Sequence, residues 1–341
     1  MRLWIVLGML LSMTNWGLTQ DTSSPTSEGL SAEQIAEIPV VEFERLPANQ
    51  RLIHDRWYKR VKTGVHVYDA PNGQVVRYLD EGFNFVTVSM EIDGWSQINP
   101  NEWIETQYLS DASPSSFTGF FLPEVMPQYT VAWALINLYP SPEPGANPRE
   151  SLGLIYRYTP LRIYAQKELN GVRWYQIGAE QWIHQHHVAK IQPLTQQPEG
   201  LTTERWIGID LYEQVLIAYE GMKPIFATLV SSGLPRWPTN EGLFHIYYRQ
   251  TREFMSWGQV GDDFYALEEV PWTMFFDEGR ALHGAYWHDG FGYRRSHGCV
   301  NMSITDAHWL YQWVAEVMGS RQSGRIEQGP MVYVYSSGVY Q

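Results

Sequence analysis

Apolar and polar residues alternate in short runs along most of this chain. "VHVYDA" (65–70), "FVTVSM" (85–90) and "WSQI" (95–98) place apolar side chains two positions apart, the period of a half-buried strand. Asn72-Gly73 and Asp93-Gly94 separate such runs as turn signals. The pattern then recurs. "WSQINPNEWIETQYLS" begins at Trp95 and "WYQIGAEQWIHQHHVA" at Trp174, and their Trp, Gln, Ile, second Trp and second Ile keep one register 79 residues apart. Upstream, "VHVYDAPNGQ" (65–74) aligns with "ALINLYPSPEPG" (134–145) at an offset of 71, so the second copy gains eight residues. Two copies are too few for a solenoid, and each is expected to close as a small β-barrel of roughly 50 residues.

From Thr202 the character changes. "RWIGIDLYEQVLIAYEGMKPIFATLVSSG" alternates for nearly thirty residues, with Glu220-Gly221 as a hairpin turn, and "MVYVYSS" supplies a last strand. One main helix is predicted after Ser303 and Asp306, which stand in capping positions ahead of a stripe of Ala307, Leu310, Trp313, Val314 and Val317. A shorter helix precedes Pro39, where Ser31 and Gln34 have capping-box spacing. The expected fold is therefore mainly β. Residues 58–112 and 113–196 form the two barrels, 204–341 form a β-sheet domain, and 20–57 are a linker with a short helix.

Composition fits packed globular material: 44% hydrophobic residues, 15 Trp and 21 Tyr. A net charge of −13 without a basic stripe excludes nucleic acid as a partner. At the N-terminus Arg2 is followed by an apolar run from Leu3 to Met13 and small residues at Gly17 and Thr19. This reads as a signal peptide over 1–19, too short to span a bilayer. No later stretch approaches 18 uninterrupted apolar residues, so the expectation is an exported chain with no integral membrane segment after processing.

Export bears on Cys299, the only cysteine. Alone in an oxidising compartment, it is either a reactive thiol or an inert buried one. It closes the run "HGAYWHDGFGYRRSHGCVN" (283–301). A thiol needs a base such as His283 or His297, the base needs an acceptor to fix its tautomer, and a glycine-containing turn can aim N–H groups at an oxyanion. These parts suit cysteine acyl transfer without choosing a substrate. The other histidine run, "HQHH" (184–187), puts His184 and His186 on one strand face and His187 on the other, with no fourth ligand in view; a structural role is expected and no metal. The paired tryptophans, Trp95 with Trp103 and Trp174 with Trp182, read as barrel core.

"SHGCVN", with "HG" sixteen positions before the cysteine, closely resembles the signature of the YkuD-type L,D-transpeptidase catalytic domain. The resemblance covers roughly 204–341, including "IGIDLYEQVLIAYEG", "PTNEGLFHI" and "ALHGAYWH". Two positions depart from the usual spelling: Asn240 where proline is common, and Asn301 where many members have arginine. The resemblance implies Cys299 as nucleophile, His283 as general base, and Gly284 orienting that base through its carbonyl. It also implies His297, Ser296, Gly298 and Asn301 at the pocket and oxyanion turn, and Tyr286, Trp287 and His288 beside the substrate groove. The implied substrates are peptidoglycan stem peptides, with no cofactor, in the cell wall or a periplasm-like space. The repeats resemble bacterial SH3-like domains through their "W-x-x-I … W-I" endings, which implies tethered wall-binding modules that raise local substrate concentration. Water or a protein lysine as acceptor stays open, as does a catalytically inactive wall-binding scaffold. An NlpC-type endopeptidase is disfavoured, because there the cysteine precedes its histidine.

Overall fold

A computed structural model describes residues 29–316, 323–325 and 329–339. The expected signal peptide and Val317 of the helical stripe lie outside them. Strands dominate the described residues, as expected of a mainly β chain, and no helix among them is long and apolar enough to cross a membrane. The helix Ala32–Glu37 starts in a capping box: Ser31 Oγ accepts the Gln34 N–H, and the Gln34 side chain accepts the Ser31 N–H.

The repeats share an order of elements. Strands Trp95–Asn99 and Glu102–Glu105 lead through the 3-10 turn Thr106–Tyr108 to strand Leu109–Asp111. Their counterparts are Val172–Gly178, Gln181–His184, the 3-10 turn Gln185–His187 and Val188–Lys190. Each has its own apolar cluster, one around Val67, Val86 and Ile104, the other around Ile163, Tyr175 and Ile183. Two details differ from the sequence reading. Tyr68 pairs with Trp103 and Ser141 bridges Trp182, which sets the front strands 73 residues apart and not 71. The strand also ends at His184, so His186 lies in a turn and shares no strand face with it.

A six-stranded sheet runs in the order Gly242–His245, Met331–Tyr335, Arg205–Asp210, Val215–Glu220, Lys223–Leu229, Phe120–Phe121. One face packs on the helix Ile304–Glu316 through Ile207, Ile209, Leu216 and Phe226. The other meets the second repeat, where Trp206, Ile217 and Tyr219 join Trp133 and Ala189. Alternation in "RWIGID" and "VLIAYE" therefore sorts residues between two buried faces, not between core and water. A buried ion pair adds to this junction: Lys190 Nζ lies 2.5 Å from Glu213 and donates to Tyr175 Oη at 2.9 Å.

The second large sheet runs in the order Val300–Met302, Arg280–Gly284, Tyr265–Asp277, Phe83–Val88, Trp57–Val61, Leu109–Asp111, with Tyr248–Trp257 also paired to Tyr265–Asp277. Tyr265, Ala266 and Leu267 run parallel to Phe83, Asn84 and Phe85. The first repeat is thus hydrogen-bonded into the sheet that carries the histidine and cysteine strands.

Candidate active site

Cys299 stands one residue before strand Val300–Met302, which runs parallel to Arg280–Gly284 with Leu282 opposite Val300 and His283 opposite Asn301. Continuing that register sets Cys299 beside Ala281. Cys299 and His283 then project from one face, a step of two residues apart along the strands. Both line a single cavity of about 930 Å³, together with Trp287, His288, Ser296 and His297.

The turn before the cysteine is braced on several sides. Ser296 Oγ accepts the Gly298 N–H at 3.1 Å and donates to the Cys299 carbonyl. Thr239 Oγ1 donates to the Gly298 carbonyl at 2.8 Å, and Ser231 and Asn301 exchange backbone hydrogen bonds at 2.9 and 3.0 Å. Gly298 has φ +116°, and a Cβ there would come within 2.9 Å of Arg280 Nε. Only glycine fits this position without strain.

His283 is buried, and its Nδ1 lies 3.1 Å from the Gly284 carbonyl oxygen. A carbonyl only accepts, so Nδ1 carries the proton and Nε2 keeps its lone pair. Burial holds the imidazole neutral and brings its pKa down to about 4, against the Gly284 hydrogen bond that favours charge. Burial also pushes the Cys299 thiol up, while the Ala281 N–H and the nearby Arg280 charge pull it back. At neutral pH the site holds a neutral imidazole and a thiol. A thiolate forms when that proton has somewhere to go.

His288 has its own logic. Its Nδ1 accepts the Gly290 N–H at 3.1 Å, so Nε2 carries the ring proton. Asn301 lies 2.9 Å from that Nε2 and must present its carboxamide oxygen to it. The other end of the Asn301 carboxamide is buried with no partner among the described residues. Burial, then the Arg295 charge, lowers the His288 pKa to about 3. His297 is held differently, with its ring stacked on Trp237 at 3.8 Å and its Nε2 without a hydrogen-bond partner among the described residues.

Two residues stand elsewhere than their sequence roles implied. Tyr286 is fully buried, stacked on Tyr58 at 3.7 Å with its hydroxyl donated to the Glu268 carbonyl; it lies beneath the site and not in the groove. Its neighbour Trp287 takes the cavity side, 5.6 Å from the His283 ring. The Gly298 N–H is committed to Ser296, which removes it from the expected oxyanion donors.

Sequence reading also missed several supports. Arg280 sits against the cysteine turn, donating to Asp277 at 3.2 Å and to the Pro238 carbonyl at 3.1 Å. The loop after His288 is fastened by the second repeat: Arg157 pairs with Asp289, and Tyr158 Oη reaches the Asp289 carbonyl at 3.1 Å and accepts the Phe291 N–H at 3.2 Å. Tyr293 Oη donates to the His186 carbonyl at 3.2 Å, so the histidine-rich turn buttresses the same loop. Asp289 stood in the motif run as a visible acidic residue, but nothing in the sequence pointed to a partner more than 130 residues upstream. Among the described residues no cluster of three His, Cys, Asp or Glu side chains is arranged to hold a metal.

Part of the chain is similar to known proteins. Residues 204–333 match the family model of the L,D-transpeptidase catalytic domain, YkuD. A curated relative, YciB of Bacillus subtilis (strain 168), which bears an L,D-transpeptidase name, is 27% identical over 126 residues. That match covers 33% of this chain and 61% of YciB, so the chain spans less than two thirds of that relative. Among solved structures, the catalytic domain of the E. faecium L,D-transpeptidase is 23% identical, with a TM-score of 0.32 over 40% of this chain and 100% of that one. The L,D-transpeptidase from Mycobacterium smegmatis is 17% identical, with a TM-score of 0.34 over 50% of this chain and 69% of that one.

Proposed function

With residues 204–333 matching the YkuD-type L,D-transpeptidase catalytic domain, we propose that this protein is an exported peptidoglycan L,D-transpeptidase that works through a thioacyl-enzyme on Cys299. One observation carries the reading: His283, its Nδ1 held by the Gly284 carbonyl, keeps a free Nε2 lone pair on the strand beside Cys299, in the same cavity.

The chemistry follows from that pair. Cys299 Sγ attacks the carbonyl of the third residue of a donor stem tetrapeptide, and its proton passes to His283 Nε2. Attack leaves a tetrahedral oxyanion on that carbonyl. Collapse breaks the peptide bond, the D-Ala amine takes the proton from His283, and a thioester remains. An amine of a neighbouring stem then attacks the thioester and gives its proton to His283. The thiol leaves reprotonated, and a 3→3 cross-link has formed. The apolar run at residues 3–13 supports export, which a wall substrate would require.

Product analysis tests this. Incubation with a disaccharide-tetrapeptide should release D-Ala and yield a 3→3 dimer, neither of which appears with Cys299→Ala. Tripeptide without dimer would make the protein an L,D-carboxypeptidase using the same thioester. A folded wild type that releases no D-Ala would contradict the proposal.

A further inference from the structure

The cavity holding Cys299 and His283 is not walled by the family-matched region alone. Arg60, Lys62, Glu81, Gly82 and Phe83 of the first repeat form part of its lining. Backbone pairing fixes their position: the Phe83 N–H donates to the Phe264 carbonyl at 3.0 Å, and Phe83, Asn84 and Phe85 pair with Tyr265, Ala266 and Leu267. A module hung on a flexible tether would have no such fixed place at the cleft.

The charge of that wall is unlike the rest of the molecule. The chain carries a net −13, yet five basic side chains line this cavity against three acidic ones. Arg60 and Lys62 come from the first repeat, and Arg236, Arg294 and Arg295 from the region matched by the family model. The acidic three are Glu81, Asp262 and Asp263, of which Asp263 already accepts the Gln259 N–H at 2.9 Å. Arg60 is exposed and forms no ion pair among the described residues; its guanidinium lies over the Phe83 ring at 5.5 Å. Arg77 of the same repeat, by contrast, is paired with Glu102 at 2.7 Å. Lys62 gives one hydrogen bond to the Gln107 carbonyl at 3.0 Å and has two N–H groups without a partner among the described residues. A guanidinium steadied on an aromatic ring, without a carboxylate of its own, is suited to receive one from a ligand.

We infer that the first repeat is a wall of the substrate cleft, and that Arg60, with Lys62 beside it, binds a carboxylate of the donor peptide away from the scissile carbonyl. This rests on the peptide acyl-transfer reading of the site, and it makes the N-terminal repeat a specificity element. Glu81, on the same wall, repels a second carboxylate and so narrows the position the first can take.

The test is steady-state D-Ala release by the full chain from two synthetic tetrapeptide donors, one with free side carboxylates and one with them amidated. Wild type is expected to favour the free acid. Arg60→Ala is expected to raise KM for it about tenfold with little change in kcat, as for loss of one partly exposed charge-assisted hydrogen bond, and to erase the preference. Lys62→Ala should act in the same direction but less, and Arg60→Lys should recover part of the preference, as a merely structural role would not. Melting temperatures of all variants are compared with wild type, and Lys62→Ala alone carries the test if Arg60→Ala fails to fold. D-Ala release with no preference in the wild type, or with a preference that folded variants keep, would overturn this inference and leave the acyl-transfer reading standing. No D-Ala release from either donor by folded wild type would instead overturn the acyl-transfer reading, and this inference with it.

Discussion

His283 sits on a strand whose own next carbonyl fixes its tautomer, so the role of base proposed for it depends on one lone pair remaining unprotonated. Burial brings its pKa from 6.5 to about 4. The folded-state value is the lower one, so the neutral base is fully present above that value and is lost as pH falls through it. The kcat/KM for D-Ala release should therefore show an acid limb near 4, and an acid limb near the ordinary histidine value of 6.5 would contradict this assignment. At this scale much was legible. Cys299, His283 and Gly284 are close in sequence, and parallel pairing of two short strands brings them together. Tyr286 and Gly298 were not legible in the same way. Which side of the chain Tyr286 faces depends on the stack with Tyr58, and the bond that occupies the Gly298 N–H depends on how the turn closes.

Among the elements, the loop from Asp289 to Tyr293 joins the histidine strand to the cysteine turn, and its shape is imposed from outside. Tyr158, whose hydroxyl holds that loop, adopts φ +66°, a left-handed conformation that costs a bulky residue on the order of 1–2 kcal/mol. Its own N–H donates to the Ala134 carbonyl at 2.7 Å, and the hydroxyl bonds offset the strain from the other end. Tyr158→Phe leaves the Phe291 N–H without its partner, and stability should fall by about 1–3 kcal/mol. Amide exchange should quicken at Gly290–Gly292 and kcat/KM should drop several-fold. Unchanged exchange and turnover would show that the loop stands unaided. The order of elements in the repeats is legible in the residues, but this contact is not. A repeat signals a fold unit, and what its loops touch is decided by tertiary packing. The same limit explains the long apolar run after Thr202: alternation tells a strand from a helix, yet cannot tell a face covered by protein from one facing water.

For the whole molecule, the sequence implies separate units strung along a chain, two of them tethered modules. The two large sheets cut across that division. Phe83 pairs with Tyr265 and Phe120 with Ala227, so strands before residue 122 complete sheets formed mostly by residues after 204. Such pairing joins positions more than 100 residues apart and leaves no local trace in composition or periodicity. The cleft is accordingly built from three stretches: the first repeat lines it, the second braces its loop, and the C-terminal region supplies the Cys299 thiol and the His283 imidazole. Acylation of Cys299 is tested most directly by intact-mass spectrometry of the full chain with a disaccharide-tetrapeptide. An adduct equal to the donor minus D-Ala is expected in wild type and not in Cys299→Ala. A folded wild type that gains no mass and releases no D-Ala, or an adduct that persists in Cys299→Ala, would contradict it.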